Sequence, residues 1–332
     1  MKAIKQVLRR PWIRIAGSLI ILALLLAFLP VHKLAAALRI IPLRLWAAVI
    51  AGYLVTHCIG VAKWRLTLRL SDAHLTFAQA VRCYFAGLFG TLFLPSVVGG
   101  DVVRMGLAFR IERNRAGVLL GSLVDRLLDT MSLAVVAGTG VLLLPGALHT
   151  HHRRAFLELA IVFALAFIGL FVTLAFIPWQ RLPFKVRRLS VKIRRAARSM
   201  ASQPQYVLVS FTLGLIIQMN LLVLSATIAN ACGLHVQFRI WLLVWPLAKL
   251  LALVPLTLGG LGLREAGLVA LLAPFGTPAT LAVAAGLAWE SVVIGSGLCA
   301  GVISFLIGGS DFARSVLHFD RLRSSEELTP IT

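Results

Sequence analysis

The sequence predicts an all-α, polytopic membrane helix bundle with two re-entrant hairpins in an inverted repeat. Of its 332 residues, 59% are hydrophobic and only 14% are charged, whereas soluble domains are about half apolar and a quarter charged. Six apolar segments are long enough to span a bilayer, and two shorter segments end in the same glycine-rich break. Lysine and arginine lie between the apolar runs, as the positive-inside rule expects.

The six full spans follow from length, because a helix needs about 20 apolar residues to cross the hydrocarbon core. They cover 13–30, 45–62, 116–144, 155–177, 205–231 and 281–308. The first span follows a basic N-terminus and also resembles a secretory signal. Pro30, His32 and Lys33 interrupt the approach to any cleavage site, which favours an uncleaved membrane helix.

Two further apolar segments, 83–95 and 240–254, are too short to span. At 1.5 Å per residue they reach about 20 Å, against a core of roughly 30 Å. Each ends in a proline and glycine break and is followed by another short apolar run, 102–109 or 266–275. Two half-helices around a break form a re-entrant hairpin, which is tolerated only where protein or a water-filled cavity covers the broken backbone.

The two breaks share the pattern Pro-x3-Gly-Gly-x3-Arg at a constant offset of 160 residues, which predicts an internal repeat with halves of about 45–145 and 205–308. The first copy comprises Pro95, Gly99, Gly100 and Arg104, and the second comprises Pro255, Gly259, Gly260 and Arg264. The charge bias makes one hairpin enter from each membrane face. This is the inverted-repeat architecture of many transporters, so the two breaks are expected to meet near the midplane and to line one polar cavity.

Charge placement also predicts location. The chain, 1–332, is expected to form a single integral domain of a bacterial inner (plasma) membrane, with both termini, the loops 63–82 and 110–115, and the tail 309–332 in the cytoplasm. The net charge of +21 is distributed between the spans, which argues against nucleic acid as a partner.

Segment 181–200 has the pattern of a basic amphipathic helix on the cytoplasmic membrane surface. Its polar face includes Arg187, Arg188, Lys192, Arg194, Arg195 and Arg198. The segment either anchors the topology or senses anionic lipid, and the anchor is the simpler interpretation.

Charged residues within the membrane are functional candidates by default because their burial is costly. They are Asp101 and Arg104 in the first hairpin, Arg264 and Glu265 in the second, Asp125, Arg126 and Asp129 on the helix after the first hairpin, Lys249, and Glu290 in the last span. Opposite charges predict ion pairs between hairpin and helix, for example Arg104 with Asp125. Such pairs either hold the hairpins in place or bind a substrate, and the sequence leaves both roles open.

The paired glycines are expected to directly precede the returning half-helices, whose N-terminal amides attract anions. An arginine one turn into each helix would add a fork suited to phosphate. The pattern favours a lipid headgroup over a nucleotide, because no P-loop motif is present. No cofactor, metal or catalytic residue is expected, since the cysteines are scattered and His149, His151 and His152 fit a solvated turn.

Three segments, Phe93–Arg104, Ser122–Asp129 and Val254–Glu265, resemble the membrane region of lysylphosphatidylglycerol synthases, also called flippase-like proteins. The resemblance covers about residues 10–308. It implies a membrane domain that moves or handles anionic, aminoacylated or glycosylated lipids. Membrane phospholipids or lipid-linked substrates are then the expected partners, together with a separate lipid-modifying enzyme. The alternative is a membrane-embedded lipid-linked glycosyl- or acyltransferase, or its partner subunit.

Two features qualify the resemblance. Full-length synthases also carry a large soluble aminoacyl-transferase domain, whereas the longest soluble stretches here are 178–204 and the tail after 309, so synthase activity is not expected. An enzyme would need an acidic pair for a metal, and Asp101 with Asp125 is the one candidate pair. The last span has Trp289 and Glu290 where another arginine would be expected.

Overall fold

A computed structural model describes residues 39–94, 97–144, 202–251 and 262–308, and the regular structure in these ranges is helical throughout. This confirms the predicted all-α class. The α-helices are α1 Leu43–Leu70, α2 Phe77–Gly90, α3 Val97–Ile111, α4 Arg115–Leu142, α5 Pro204–Ala231, α6 Phe238–Leu251, α7 Leu263–Leu272 and α8 Ala279–Gly308. A 3-10 turn, Ala273–Phe275, connects α7 to α8.

Three helices, α1, α5 and α8, are long and apolar enough to cross a membrane, in agreement with the predicted spans 45–62, 205–231 and 281–308. Helix α4 is 28 residues long, as α1 is, and covers the predicted span 116–144 except for its last two residues. Three charged residues within it, Asp125, Arg126 and Asp129, interrupt its apolar character. The predicted spans 13–30 and 155–177, the segment 181–200 and the tail lie outside the described residues.

Helix α1 extends further than the sequence predicts. It ends at Leu70, so the connection to α2 is only residues 71–76, and the predicted loop 63–82 is wrong. Lys63 lies inside the helix and is 1% exposed. It shares the buried face of α1 with Thr56, Gly60 and Thr67 at helical spacing. The predicted span ends before Lys63 because a lysine interrupts an apolar run. In the structure Lys63 stays inside the bundle because it pairs with two carboxylates there.

Helices α2 and α3 form a hairpin of 14 and 15 residues, each about 21 Å long. They approach so closely that a Cβ on Gly100 would lie 2.6 Å from the carbonyl oxygen of Gly87. Two helix backbones can approach this closely only where a residue has no side chain, which explains the glycine. Helix α3 begins at Val97, however, so Gly99 and Gly100 lie in its first turn, and their predicted position before the helix is wrong.

The two ends of this hairpin lie on one face of the bundle. The Glu112 carboxylate accepts a hydrogen bond from the backbone N–H of His74 at 2.9 Å, and the Asn114 side-chain amide donates to the carbonyl of Asp72 at 2.9 Å. These contacts join segment 71–76 to segment 112–114. We name this the first face of the bundle. Entry of the hairpin into a membrane from this face stays a prediction.

The eight helices form two repeats of four, in which α1–α4 correspond to α5–α8. Leu43 and Pro204, which begin α1 and α5, are 161 residues apart, and so are Phe77 and Phe238, which begin α2 and α6. The packing is also repeated, because α2 packs against α8 as α6 packs against α4, and α1 packs against α4 as α5 packs against α8. Helices α1 and α5 pack against each other at the centre.

The repeats have opposite directions. Helix α8 ends at Gly308 beside Arg82, near the start of α2, and therefore at the first face. Helix α6 begins beside the end of α4, because a Cβ on Gly140 would lie 2.6 Å from the backbone nitrogen of Leu243. Since α4 begins at the first face, its end lies at the opposite, second face. The two hairpins therefore begin at opposite faces, as an inverted repeat requires.

Single-cysteine labelling tests this arrangement in a membrane. In a variant with the four native cysteines replaced, Arg113→Cys at the first face and His235→Cys at the second are both exposed. We expect an impermeant thiol reagent to reach position 113 from one side of a sealed vesicle and position 235 from the other. Labelling of both positions from the same side would contradict the inverted repeat.

Candidate functional site

Six charged residues from α1, α3 and α4 form one cluster inside the bundle, which we name the first charged cluster. Three are cations and three are carboxylates, so the formal charges cancel. Its members are Lys63, Asp101, Arg104, Asp125, Arg126 and Asp129. The sequence singled out five of these as candidates and missed Lys63.

Asp125 is the centre of the first charged cluster. Its carboxylate lies 2.8 Å from Lys63 Nζ and 3.2 Å from Arg104 Nη2, and its side chain is 2% exposed. The predicted Arg104–Asp125 pair is therefore confirmed. Lys63 Nζ also lies 2.8 Å from Asp129 and donates to the backbone carbonyl of Asp125 at 3.2 Å. The Lys63 ammonium group thus lies among two carboxylates and a carbonyl.

The cluster reaches the surface of the bundle at Arg126. Asp101 Oδ1 lies 3.1 Å from Arg104 Nη2 and accepts a hydrogen bond from Arg126 Nη2 at 2.5 Å. The Arg126 side chain is 45% exposed and that of Asp129 is 22% exposed, whereas Arg104 and Asp125 are enclosed. A ligand from outside would therefore meet Arg126 and Asp129 first.

Arg104 is fixed on two aromatic rings. Its guanidinium carbon lies 4.7 Å from the centre of the Trp64 ring and 5.1 Å from that of Tyr84, and such stacking holds a planar cation in one orientation. Arg104 is the eighth residue of α3, so its predicted place one turn into the helix is wrong. The helix starts earlier than expected, and Arg104 is too far along it to share an anion with the N-terminal amides.

A second charged cluster comprises Arg264 and Glu265 of α7 and Glu290 of α8. Arg264 Nη2 lies 2.8 Å from Glu265 and 2.6 Å from Glu290. Arg264 corresponds to Arg104 in the repeat, so Glu290 has the role of Asp125 on the equivalent helix. Glu290, which departs from the expected pattern of the last span, therefore preserves the ion pair of the repeat.

Glu265 also uses the start of α7. Its carboxylate accepts a hydrogen bond from the backbone N–H of Gly262 at 2.6 Å, and Gly262 has a φ of +84°. An acid in the first helical turn is stabilised by the helix dipole. The predicted anion at this N-terminus is thus supplied, in part, by the protein itself. Gly286 makes space for Glu265, because a Cβ there would lie 2.8 Å from Glu265 Cγ.

An aromatic layer connects the two clusters. His57 Nδ1 lies 3.3 Å from the Tyr84 hydroxyl, and the rings of Tyr53 and His57 are 4.4 Å apart. Tyr53 contacts Trp289, whose ring centre is 5.7 Å away, and Trp289 packs on Trp245 at 4.9 Å. The layer therefore extends from Tyr84, which contacts Arg104, to Trp289, which precedes Glu290 in the chain.

Lys249 of α6, the remaining cation among the sequence candidates, donates to the side-chain oxygen of Gln218 of α5 at 2.8 Å. Gln218 thus forms a hydrogen bond between two neighbouring helices. Pro95, Pro255, Gly259 and Gly260 lie outside the described residues. Whether the two breaks meet and line one cavity therefore stays a prediction.

The two carboxylates that an enzyme would need to bind a metal, Asp101 and Asp125, both form ion pairs with an arginine in this structure. Asp101 and Asp125 both contact Arg104, at 3.1 and 3.2 Å. Two carboxylates held by the same guanidinium are poor ligands for a metal, because the cation already neutralises them.

Comparison with known proteins gives one clear result. The family profile described as the lysylphosphatidylglycerol synthase TM region matches residues 12–301, which includes both charged clusters and all eight described helices up to the last turns of α8. No match was found among curated proteins or among solved structures.

Proposed function

The chain belongs to the family of the lysylphosphatidylglycerol synthase TM region, and on this basis we propose that it is a flippase-like protein that moves lipids with charged headgroups across a membrane. The observation that carries the proposal is the repeated arginine–carboxylate pair. Arg104 pairs with Asp125 of α4, and Arg264, the corresponding arginine of the repeated motif, pairs with Glu290 of α8 in the repeat of opposite direction. Equivalent sites facing opposite ways suit a substrate that enters from one face and leaves by the other.

The balanced charge of the first cluster supports a headgroup with both signs of charge. An aminoacylated phospholipid carries a phosphate and an ammonium group. The phosphate would pair with Arg126 and Arg104, and the ammonium group with Asp101 and Asp129. Since each new pair replaces an existing one, the exchange avoids leaving a buried charge without a partner, which costs several kcal/mol. Partly exposed Arg126 gives the headgroup a first contact.

A translocation assay in reconstituted vesicles tests the proposal. Arg104→Ala and Arg264→Ala should each slow movement of a fluorescent aminoacylated phosphatidylglycerol, since a hydrogen bond to a charged group contributes about 1.5–3 kcal/mol. Arg→Lys at either position should recover only part, because the planar fork is lost.

The matched control is Arg113→Ala, which removes an exposed arginine of segment 112–114 and should leave the rate unchanged. The proposal is wrong if the Arg104→Ala, Arg264→Ala double variant inserts normally and moves the lipid at the wild-type rate.

A further inference from the structure

Lys249 differs from the other buried cations of this protein. Lys63 contacts two carboxylates and a carbonyl, and Arg104 and Arg264 each contact two carboxylates. In the described part of the chain, the hydrogen-bond partner of Lys249 is the neutral amide oxygen of Gln218. A charge within the membrane is costly unless it is paired. Among the described residues no carboxylate lies within ion-pair distance of Lys249, in contrast to the three other cations.

Unpaired donors continue along the same helix. Trp241, Trp245 and Lys249 are spaced by four residues and therefore lie on one side of α6. Trp241 is 1% exposed and Trp245 is 3% exposed, yet neither indole N–H has an acceptor among the described residues. A buried indole N–H normally finds an acceptor. This side of α6 thus presents two neutral donors and a cation, and it lacks acceptors.

Two acids of the charged clusters are already engaged by other cations. Glu290 follows Trp289, the ring on which Trp245 packs, but its carboxylate lies 2.6 Å from Arg264. Asp129 lies 2.8 Å from Lys63. The corresponding position in the first repeat also differs, because Tyr84, which is equivalent to Trp245, bonds to His57. The indole N–H of Trp245 therefore has no counterpart in the first repeat, where the equivalent side chain is engaged.

We propose that Lys249, Trp245 and Gln218 form an oxyanion subsite between α5 and α6 of the second repeat, separate from the two charged clusters, which binds a single phosphate group. The Lys249 ammonium supplies the charge, the Trp245 indole supplies a directed donor, and Gln218 holds the lysine in place. The phosphate belongs either to a lipid headgroup or to free phosphate, since both present the same oxygens. Equilibrium binding tests this subsite without reference to translocation, so failure of one proposal leaves the other standing.

Native mass spectrometry of the purified full chain, titrated with phosphatidylglycerol, measures the binding. Lys249→Gln should weaken one binding event about tenfold to a hundredfold, the equivalent of one hydrogen bond to a charged group. Trp245→Phe keeps the ring and removes the N–H, and should weaken binding about two- to tenfold. Lys249→Arg keeps the charge and should stay within about threefold of wild type. Diacylglycerol, which has the tails without the phosphate, should not bind at this site.

The matched control is Arg239→Gln, which removes an exposed cation at the start of the same helix and should leave the affinity unchanged. Competition by millimolar inorganic phosphate would assign the subsite to free phosphate, and lack of competition would assign it to the lipid. Unchanged affinity in Lys249→Gln, or an equal loss in Arg239→Gln, overturns the proposal. If Lys249→Gln does not fold, unchanged affinity in Trp245→Phe overturns it.

Discussion

Asp125→Asn is expected to lower the free energy of unfolding by about 3–5 kcal/mol, the effect of removing one partner from a buried ion pair. The Asp125 carboxylate lies between Lys63 and Arg104, at 2.8 and 3.2 Å, and its side chain is 2% exposed. The substitution keeps the shape and removes the charge. Two cations then remain buried with only Asp101 and Asp129 to balance them. Equilibrium unfolding in mixed micelles, followed by circular dichroism, measures the loss.

Two further variants make the result specific. Asp72→Asn replaces an exposed aspartate with φ of +57°, where asparagine is well tolerated, and should leave stability unchanged. Adding Lys63→Met to Asp125→Asn removes one of the two cations left without this carboxylate. The double variant should therefore lose less free energy of unfolding than the sum of the two single losses. Wild-type stability in Asp125→Asn would show that the cluster does not hold α1, α3 and α4 together.

Gly140→Leu should separate the two repeats at the contact of α4 with α6. A Cβ at position 140 would lie 2.6 Å from the backbone nitrogen of Leu243 and 2.7 Å from the backbone carbon of Leu242. Backbone atoms of a helix cannot rotate away as a side chain can, so the helices must move apart. We expect a loss of about 3 kcal/mol or more, at the upper end of overpacking effects, measured by the same unfolding experiment.

The chain contains a closely matched control on the same helix. A Cβ on Gly138 meets no atom within 4 Å, so Gly138→Leu makes the same chemical change two residues away without a clash. Leucine also has a higher helix propensity than glycine, and stability should be unchanged or slightly higher. Equal losses at positions 138 and 140 would mean that glycine is needed for some reason other than the packing of α4 on α6.

Much of this arrangement could be predicted from local patterns. The constant spacing of the two breaks indicated the repeat, and apolar length located α1, α5 and α8. The Arg104–Asp125 pair followed from charge balance within the membrane. These features depend on spacing and composition, which a sequence displays directly.

Other features depended on tertiary contacts. The sequence places Lys63 in a loop, because the length of an apolar run does not reveal that carboxylates of α4 pair with this lysine. The pattern of small and polar residues on its helix face, with Thr56, Gly60 and Thr67, was the available signal. The start of α3 at Val97 was also missed, since two glycines favour a break until the close packing on Gly87 is known.

The first charged cluster has a consequence for biogenesis. Helix α3 carries Asp101 and Arg104, and each charged residue at the centre of an isolated helix adds about 2.5–3.5 kcal/mol to the cost of leaving the insertion channel. Apart from each other, their charged partners are Asp125 and Arg126, which lie on α4 and are synthesised later. We expect the nascent hairpin to remain in the channel, or beside it, until residue 125 has emerged. Insertion of this protein is therefore a cooperative step of several helices, and a chain arrested before α4 should leave α2 and α3 accessible to protease.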